Sequence, residues 1–500
     1  MATLFPNEFV YSGFMKPSRF EGDIFELEVE GEVPAHLDGT FYRVGPDPAF
    51  PAKSGKDIAF NGDGMVTTFT FRDGHVDFKS KYALTDKLKL ERAARRSLFG
   101  AYRNPFDDDP SVQGQIRGTA NTGIQLHGGR LLAMKEDSPP LEMDPITLDT
   151  VGYTNFGGKL TSKTFTAHPK VDPKTGEMFA IGYAAKGEAT RDLAYYVISP
   201  DGEIIHEAWL EAPYSGMIHE FVIGEDYVAF PLTAVTSDIE RLKKMDVHFR
   251  FDPSKDSYVG VLPRYGRGDE VRWFSGPNRF AQHFANGFQE GRRMHLDAPV
   301  AHGNAFPFFP DINGAPFDEE KSLCRLTRWT VDLDDNECKI VETVLSPATG
   351  EFPIVDDRWQ GRPYRTHFMM VQTPGQAFAQ GKKMIFRTIA KIDVTNGETI
   401  YHTGPDEVIF QEPIFIPRSP EGPEADGYLA FLITHMTGQQ LSELWLVDTA
   451  DFAAPPIAKV KLPIRLRPGL HGEWYERSFI EQQVRIGRAR AGANLMTSDR

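Results

Sequence analysis

Turn pairs set between short β-branched and aromatic runs restrict this chain most. Leu193-Ala194-Tyr195-Tyr196-Val197-Ile198 meets Pro200-Asp201-Gly202 and continues as Glu203-Ile204-Ile205. The same grammar recurs at Phe71-Arg72-Asp73-Gly74-His75, at Leu333-Asp334-Asp335-Asn336-Glu337 and at Val394-Thr395-Asn396-Gly397-Glu398. Another unit runs from Phe165–His168 through Asp172-Pro173-Lys174-Thr175-Gly176 into Met178–Tyr183. Asp-Gly and Asn-Gly supply the positive φ angles that two-residue hairpins need. The expectation is antiparallel meanders, not βαβ units. Helix signals are few: Asp86–Gly100, with an Asp start and a Gly stop, and a shorter stretch from Asp238 to Met245.

Five hundred residues exceed what one ordinary hydrophobic core fills, yet no linker divides them. Repeat-built folds escape that limit, because each repeat brings its own packed layer. Closed radial repetition also leaves few exposed sheet edges. An all-β propeller is therefore expected, as one domain over 1–500 with blades from about residue 20 to about 490 and long loops between strands. Periodicity alone does not fix the blade count.

A net charge of −15 and the lack of an extended basic stripe argue against nucleic acid as a partner. Two cysteines, Cys324 and Cys338, make a disulfide framework unexpected and fit a reducing compartment. Met1–Glu8 lacks a basic start and an apolar run, and no stretch is long and apolar enough to span a bilayer. A cytoplasmic protein without stable membrane insertion is expected.

Four histidines stand in distinct short phrases: Ala167-His168-Pro169-Lys170, Ile218-His219-Glu220-Phe221, Gln282-His283-Phe284-Ala285-Asn286-Gly287 and Pro468-Gly469-Leu470-His471-Gly472. A propeller can send one side chain per blade to a common axis. Four imidazoles with no carboxylate ligand would hold a divalent metal and leave positions open for oxygen, which points to a non-haem iron oxygenase. Residue type alone does not single out four of the fourteen histidines. His36, His75, His206, His248, His295 and His402 read as surface or edge residues; His127, His302, His367 and His435 could line a cavity.

The phrases Gly39-Thr40-Phe41-Tyr42-Arg43-Val44-Gly45-Pro46-Asp47-Pro48 and Phe60-Asn61-Gly62-Asp63-Gly64-Met65, with the four histidine phrases in order, resemble the carotenoid cleavage oxygenase family. The resemblance runs from about Phe20 to nearly the end. It implies a seven-bladed β-propeller capped by a dome of loops, with one Fe(II) per chain on the axis held by His168, His219, His283 and His471. It further implies glutamates behind three ligands, at positions matching Glu136, Glu351 and Glu412. A ligating imidazole donates its other N–H to such a carboxylate, which fixes the tautomer and raises basicity. Two departures are Asn286-Gly287-Phe288-Gln289, where the family usually reads Asn-Ala-aromatic-Glu, and Val44, where it commonly has Asn.

Within the family the chain looks most like the bacterial lignostilbene dioxygenases, which split the central double bond of hydroxylated stilbenes. That similarity implies that Tyr102 and Lys135 grip and ionise a phenolic hydroxyl, that Phe60 and Phe306 sandwich the rings, and that Thr122 crowds an open metal position. It implies two aromatic aldehydes as products and O2 as co-substrate, with a homodimer as a family-level expectation. Taken singly, Lys135 reads as a solvated strand-end lysine and Tyr102 as a loop aromatic. The charged stretch Asp86–Arg96 reads as a solvated helix face rather than a lipid-binding one, in keeping with a water-soluble substrate. Carotenoid or apocarotenoid cleavage, and a metal-free binding propeller, stay open as alternatives.

Overall fold

A computed structural model describes residues 4–54, 57–372 and 385–498. The hairpin grammar holds. His75–Tyr82 alternates strictly, burying Val76, Phe78, Ser80 and Tyr82, and pairs in antiparallel register with Gly64–Arg72. Asp73 and Gly74 join them at φ 49° and 84°, the left-handed pair that a tight hairpin demands. Similar meanders build sheets of four to seven strands.

Seven blades result. The seven-stranded sheet is two blades in series, because the strand Val341–Ile354 pairs with Arg325–Asp332 through its first half and with Thr366–Val371 through its second. The five other large sheets supply one blade each. In chain order, the blades follow one another around the ring from Gly22 to Lys461, and both chain ends close it. Gly472–Glu476 joins the first blade beside Gly39–Pro46, and Glu28–Gly31 joins the seventh beside Ala458–Lys461. The expected seven-bladed all-β propeller is borne out.

Phenylalanines fill the joints between blades. Phe41, Phe69, Phe71 and Phe78 of the first blade pack with Leu432, Leu444 and Leu446 of the seventh. Each such side chain stabilises the fold by roughly 1.5–3 kcal/mol on burial. Edge strands of successive blades line the axis, where Gly472–Glu476 touches both Gly123–His127 and Ile414–Pro417. The long connections between strands send Phe60, Tyr102, Thr122, Phe306 and Phe309 to one common pocket.

Helix expectations need correcting at their ends. Helix α1 spans Asp86–Ala94, capped by Thr85, and stops when Arg95 turns left-handed at φ 55°, well before Gly100. Helix α2 spans only Ile239–Lys243, with Asp238 as its cap. A third helix, α3 (Arg477–Ser498), was not foreseen. Its weak apolar stripe gives little periodic signal; what docks it is Ile480 and the Gln483 Oε1 that accepts from Gly129 N at 2.7 Å. No helix among the described residues is long and apolar enough to cross a membrane.

Candidate metal centre and its pocket

Four edge strands place the four histidines. His168 stands two residues before Lys170–Val171, His219 three before Val222–Ile223, His283 three before Asn286–Glu290 and His471 one before Gly472–Glu476. One ligand nitrogen from each lies within 4.8 Å of all the others. His219 Nε2 is 3.1 Å from His168 Nε2 and 3.2 Å from His283 Nε2.

The three blades that send no histidine each send a glutamate. Glu136 follows the second blade's Arg130–Met134, Glu351 lies in the shared long strand where it pairs with the sixth blade, and Glu412 precedes the seventh blade's Ile414–Pro417. His219 Nδ1 is hydrogen-bonded to Glu136. His283 Nδ1 meets Glu351 Oε2 at 2.7 Å, and His471 Nδ1 meets Glu412 at 2.9 Å. A carboxylate on Nδ1 requires the proton there, so Nε2 keeps its lone pair and faces the centre.

His168 differs. Its Nδ1 is 3.7 Å from Glu220 Oε1, and Glu220 is itself bonded to Lys170 and to Phe284 N. This buried fourth carboxylate was missed in the sequence, although it directly follows His219. Burial and then the neighbouring rings of His471, His219 and His283 hold the His168 imidazole far below its ordinary value. It is therefore neutral at neutral pH, as a metal ligand must be. At His283 burial acts downward, but Glu351 overrides it and the value rises. Burial would raise Glu136, yet the adjacent His219 holds it at about 2. Four converging imidazole nitrogens, three of them backed by carboxylates, fit a divalent transition metal.

A β-bulge shapes the site's wall. The register slips between Glu351 and Pro353, and Phe352 sits at φ 58°, a conformation unfavourable for an L-residue. The bulge turns Glu351 toward His283 and stacks Phe352 on the His283 ring at 5.5 Å between centroids. Phe352 was not foreseen, nor were Met217, Phe309 and Leu470, which share the wall. Leu470 and Phe352 are the sequence neighbours of His471 and Glu351, a signal that could have found them.

His219, His283 and His471 open onto one pocket. Phe60, Tyr102, Thr122, Lys135, Glu136 and Phe306 also line it. Lys135, 1% exposed, is no solvated lysine: its Nζ donates to Phe60 O at 3.0 Å and lies 4.6 Å from the Tyr102 ring centroid. Tyr102 is held on its backbone by Asp57, with N to Oδ1 at 3.2 Å. Phe60 and Phe306 face each other at 6.3 Å between centroids. Thr122 donates its hydroxyl to Asn121 Oδ1 at 2.8 Å, while its carbonyl accepts from His471 N at 3.2 Å.

The remaining histidines sort differently from expectation. His248, His295 and His402 are buried rather than at the surface, because His248 Nδ1 reaches Arg103 O, His295 Nδ1 reaches Thr330 Oγ1, and His402 lies among Phe410, Phe431 and Phe452. His302 is exposed and His367 is sealed inside a blade, so neither lines a cavity. His435 pairs with Glu443, and His127 lines a cavity together with Gln125, Trp474 and Phe479. The sequence departures are also explained. A methyl group on Gly287 would collide with Val222 of the neighbouring blade, and the Val44 side chain is fully buried beside Tyr42 and Val66.

Comparison with known proteins agrees with this geometry. Residues 15–476 match the family described as retinal pigment epithelial membrane protein. The lignostilbene-α,β-dioxygenase isozyme III of Sphingomonas paucimobilis is 48% identical, over 95% of this chain and 98% of its own. The isoeugenol monooxygenase of Pseudomonas putida is 41% identical, over 96% and 100% respectively. The crystal structure of Pseudomonas brassicacearum lignostilbene dioxygenase superposes with a TM-score of 0.91 at 42% identity, covering 95% of this chain and 99% of that one. The chain belongs to the retinal pigment epithelial membrane protein family, the carotenoid cleavage oxygenases, and is an enzyme of that kind.

Proposed function

We propose that this protein is an Fe(II)-dependent dioxygenase that cleaves the central double bond of 4-hydroxystilbenes. The alkene and one O2 become two aromatic aldehydes, with one oxygen atom in each product. His168, His219, His283 and His471 would hold one iron per chain, and Glu136, Glu351 and Glu412 would fix three of the ligand tautomers. Iron(II) bound there supplies the redox chemistry through which dioxygen reacts with an electron-rich alkene. Cys324 and Cys338 are both free thiols, in keeping with a reducing cytoplasm. The ring closure by both chain ends supports treating 1–500 as one propeller domain.

The observation that carries the substrate reading is the buried Lys135 beside Tyr102 on the wall of the pocket that reaches the histidines. A hydrocarbon polyene would offer this buried ammonium no acceptor on the pocket side, whereas a phenolate would give it one beside Phe60 O and Asp137. Charge on the phenolate oxygen spreads through the ring to the alkene and raises its electron density. Phe60 and Phe306 hold the flat rings in line with that push, and the apolar wall excludes water. The relative that acts on isoeugenol, by its name, favours a second reading in which the same clamp takes a one-ring alkenyl phenol.

The test is to load the protein with Fe(II) under nitrogen, add resveratrol, admit air, and follow oxygen uptake together with aldehydes. One O2 consumed per two aldehydes supports the reading. Turnover of isoeugenol alone moves it to one-ring phenols. No turnover of either phenol with iron bound overturns it and leaves apocarotenoids, and failure to retain iron leaves a binding propeller.

A further inference from the structure

Charges around Lys135 are not evenly engaged. Glu136 is taken by His219. Asp57 accepts from the backbone N of Ile58 and Tyr102 and from Asn61. Arg117 is tied to Asp108 at 3.1 Å. Arg103, 1% exposed, donates to the Tyr183 hydroxyl, lies 3.9 Å from Glu188, and carries His248 on its carbonyl at 2.8 Å. Asp137 is different. Its side chain is 3% exposed, its Oδ2 faces Lys135 Nζ at 3.8 Å, and its buried Oδ1 makes no hydrogen bond.

A carboxylate so placed is the close counter-charge of the ammonium, without being locked to it. At 3.8 Å the attraction is substantial where water is excluded. Yet the distance leaves the ammonium's donors available to a ligand on the pocket side. We propose that Asp137 is the positioning residue of the phenol clamp, keeping Lys135 protonated so that the clamp can take up and ionise a phenol. The proposal rests on the phenol reading given above.

The balance of neighbours supports it. Burial pushes Lys135 below its ordinary value, Asp137 opposes this most and Glu136 next, while Arg103 and Arg117 deepen the depression. Two ionisations then bound the working window. The bound phenol must lose its proton, which sets the acid side, and Lys135 must keep its own, which sets the alkaline side. Removing the Asp137 charge makes the site more positive. The phenol ionises at lower pH and Lys135 also deprotonates at lower pH, so the whole window moves to acid.

The experiment uses the iron-loaded protein under nitrogen, where no turnover occurs, with 4-nitrophenol as an absorbing phenol titrated across pH. In the wild type the bound phenol should ionise below its value in water, and Lys135→Met should abolish that depression. Asp137→Asn should move both limbs of binding to lower pH by about one unit or more, a tenfold change at the flanks. A merely structural role would weaken binding without moving the window. Should Asp137→Asn fail to fold, Asp137→Ser removes the same charge with a smaller side chain. An unmoved window in the Asp137 variant, with Lys135→Met behaving as expected, overturns the role of Asp137 and leaves the clamp intact. An undepressed wild-type phenol that Lys135→Met does not change overturns the phenol reading itself, and the role of Asp137 with it.

Discussion

Val44 holds His471 by backbone on both sides. Val44 N donates to His471 O at 3.0 Å, and Val44 O accepts from Leu470 N at 2.9 Å. The strand Gly39–Pro46 thereby fixes the last of the four converging histidines, so ring closure and the placing of that imidazole become one structural event.

That coupling makes Gly45 critical. A methyl group there would collide with the Cα of Gly469, two residues before His471. Gly45→Ala should lower stability by about 1–3 kcal/mol and reduce bound iron in the same preparation. Thermal unfolding followed beside metal analysis checks both. A variant that loses stability but keeps full iron would separate closure from the site.

Glu412 should matter through His471 alone. Its two oxygens both lie 2.9 Å from His471 Nδ1. Glu412→Gln keeps size and one acceptor but removes the charge, so iron affinity should fall roughly 10- to 100-fold with the fold retained. Competition with a chelator of known affinity measures it.

Lys135 should separate phenols from their ethers. Loss of a charged hydrogen bond of about 2–3 kcal/mol corresponds to roughly a 30- to 150-fold drop in kcat/KM. Lys135→Met should show that drop on 4-hydroxystilbene and less than about a threefold change on 4-methoxystilbene, which cannot ionise. Equal losses on both substrates would mean that Lys135 acts on packing rather than charge.

The two phenylalanines should differ in kind. Phe60 is half-buried at the pocket wall, whereas Phe306 is also packed on Phe280 and Phe309. Phe60→Ala should raise KM about 2- to 10-fold with little loss of stability. Phe306→Ala should do the same and in addition lower the unfolding temperature, as large-to-small core changes do. Steady-state kinetics beside thermal melts distinguishes them.

Much of this was legible in the sequence because strands announce themselves locally. Asp73-Gly74 dictates a hairpin wherever it sits, and alternation such as Val76, Phe78 and Ser80 needs no distant partner. The four histidines could be singled out only by likeness to a family, since His168, buried His295 and exposed His75 are alike in type. What escaped was non-local. The bulge that presents Phe352 and the approach of Glu220 to His168 both depend on how blades meet at the axis. Helix α3 escaped because its few apolar contacts, Phe479, Ile480 and Val484, are helped by the polar partners of Gln483 and Arg490, which no local pattern reveals.

The central claim is dioxygen cleavage of an alkene at the four-histidine centre, and isotopic oxygen tests it most directly. Iron-loaded protein with resveratrol is exposed to ¹⁸O2 for a single turnover, and the aldehydes are reduced at once to alcohols that cannot exchange with water. The account expects one ¹⁸O in each of the two products. Label in only one product, with the other oxygen drawn from water, would contradict it and make the enzyme a monooxygenase.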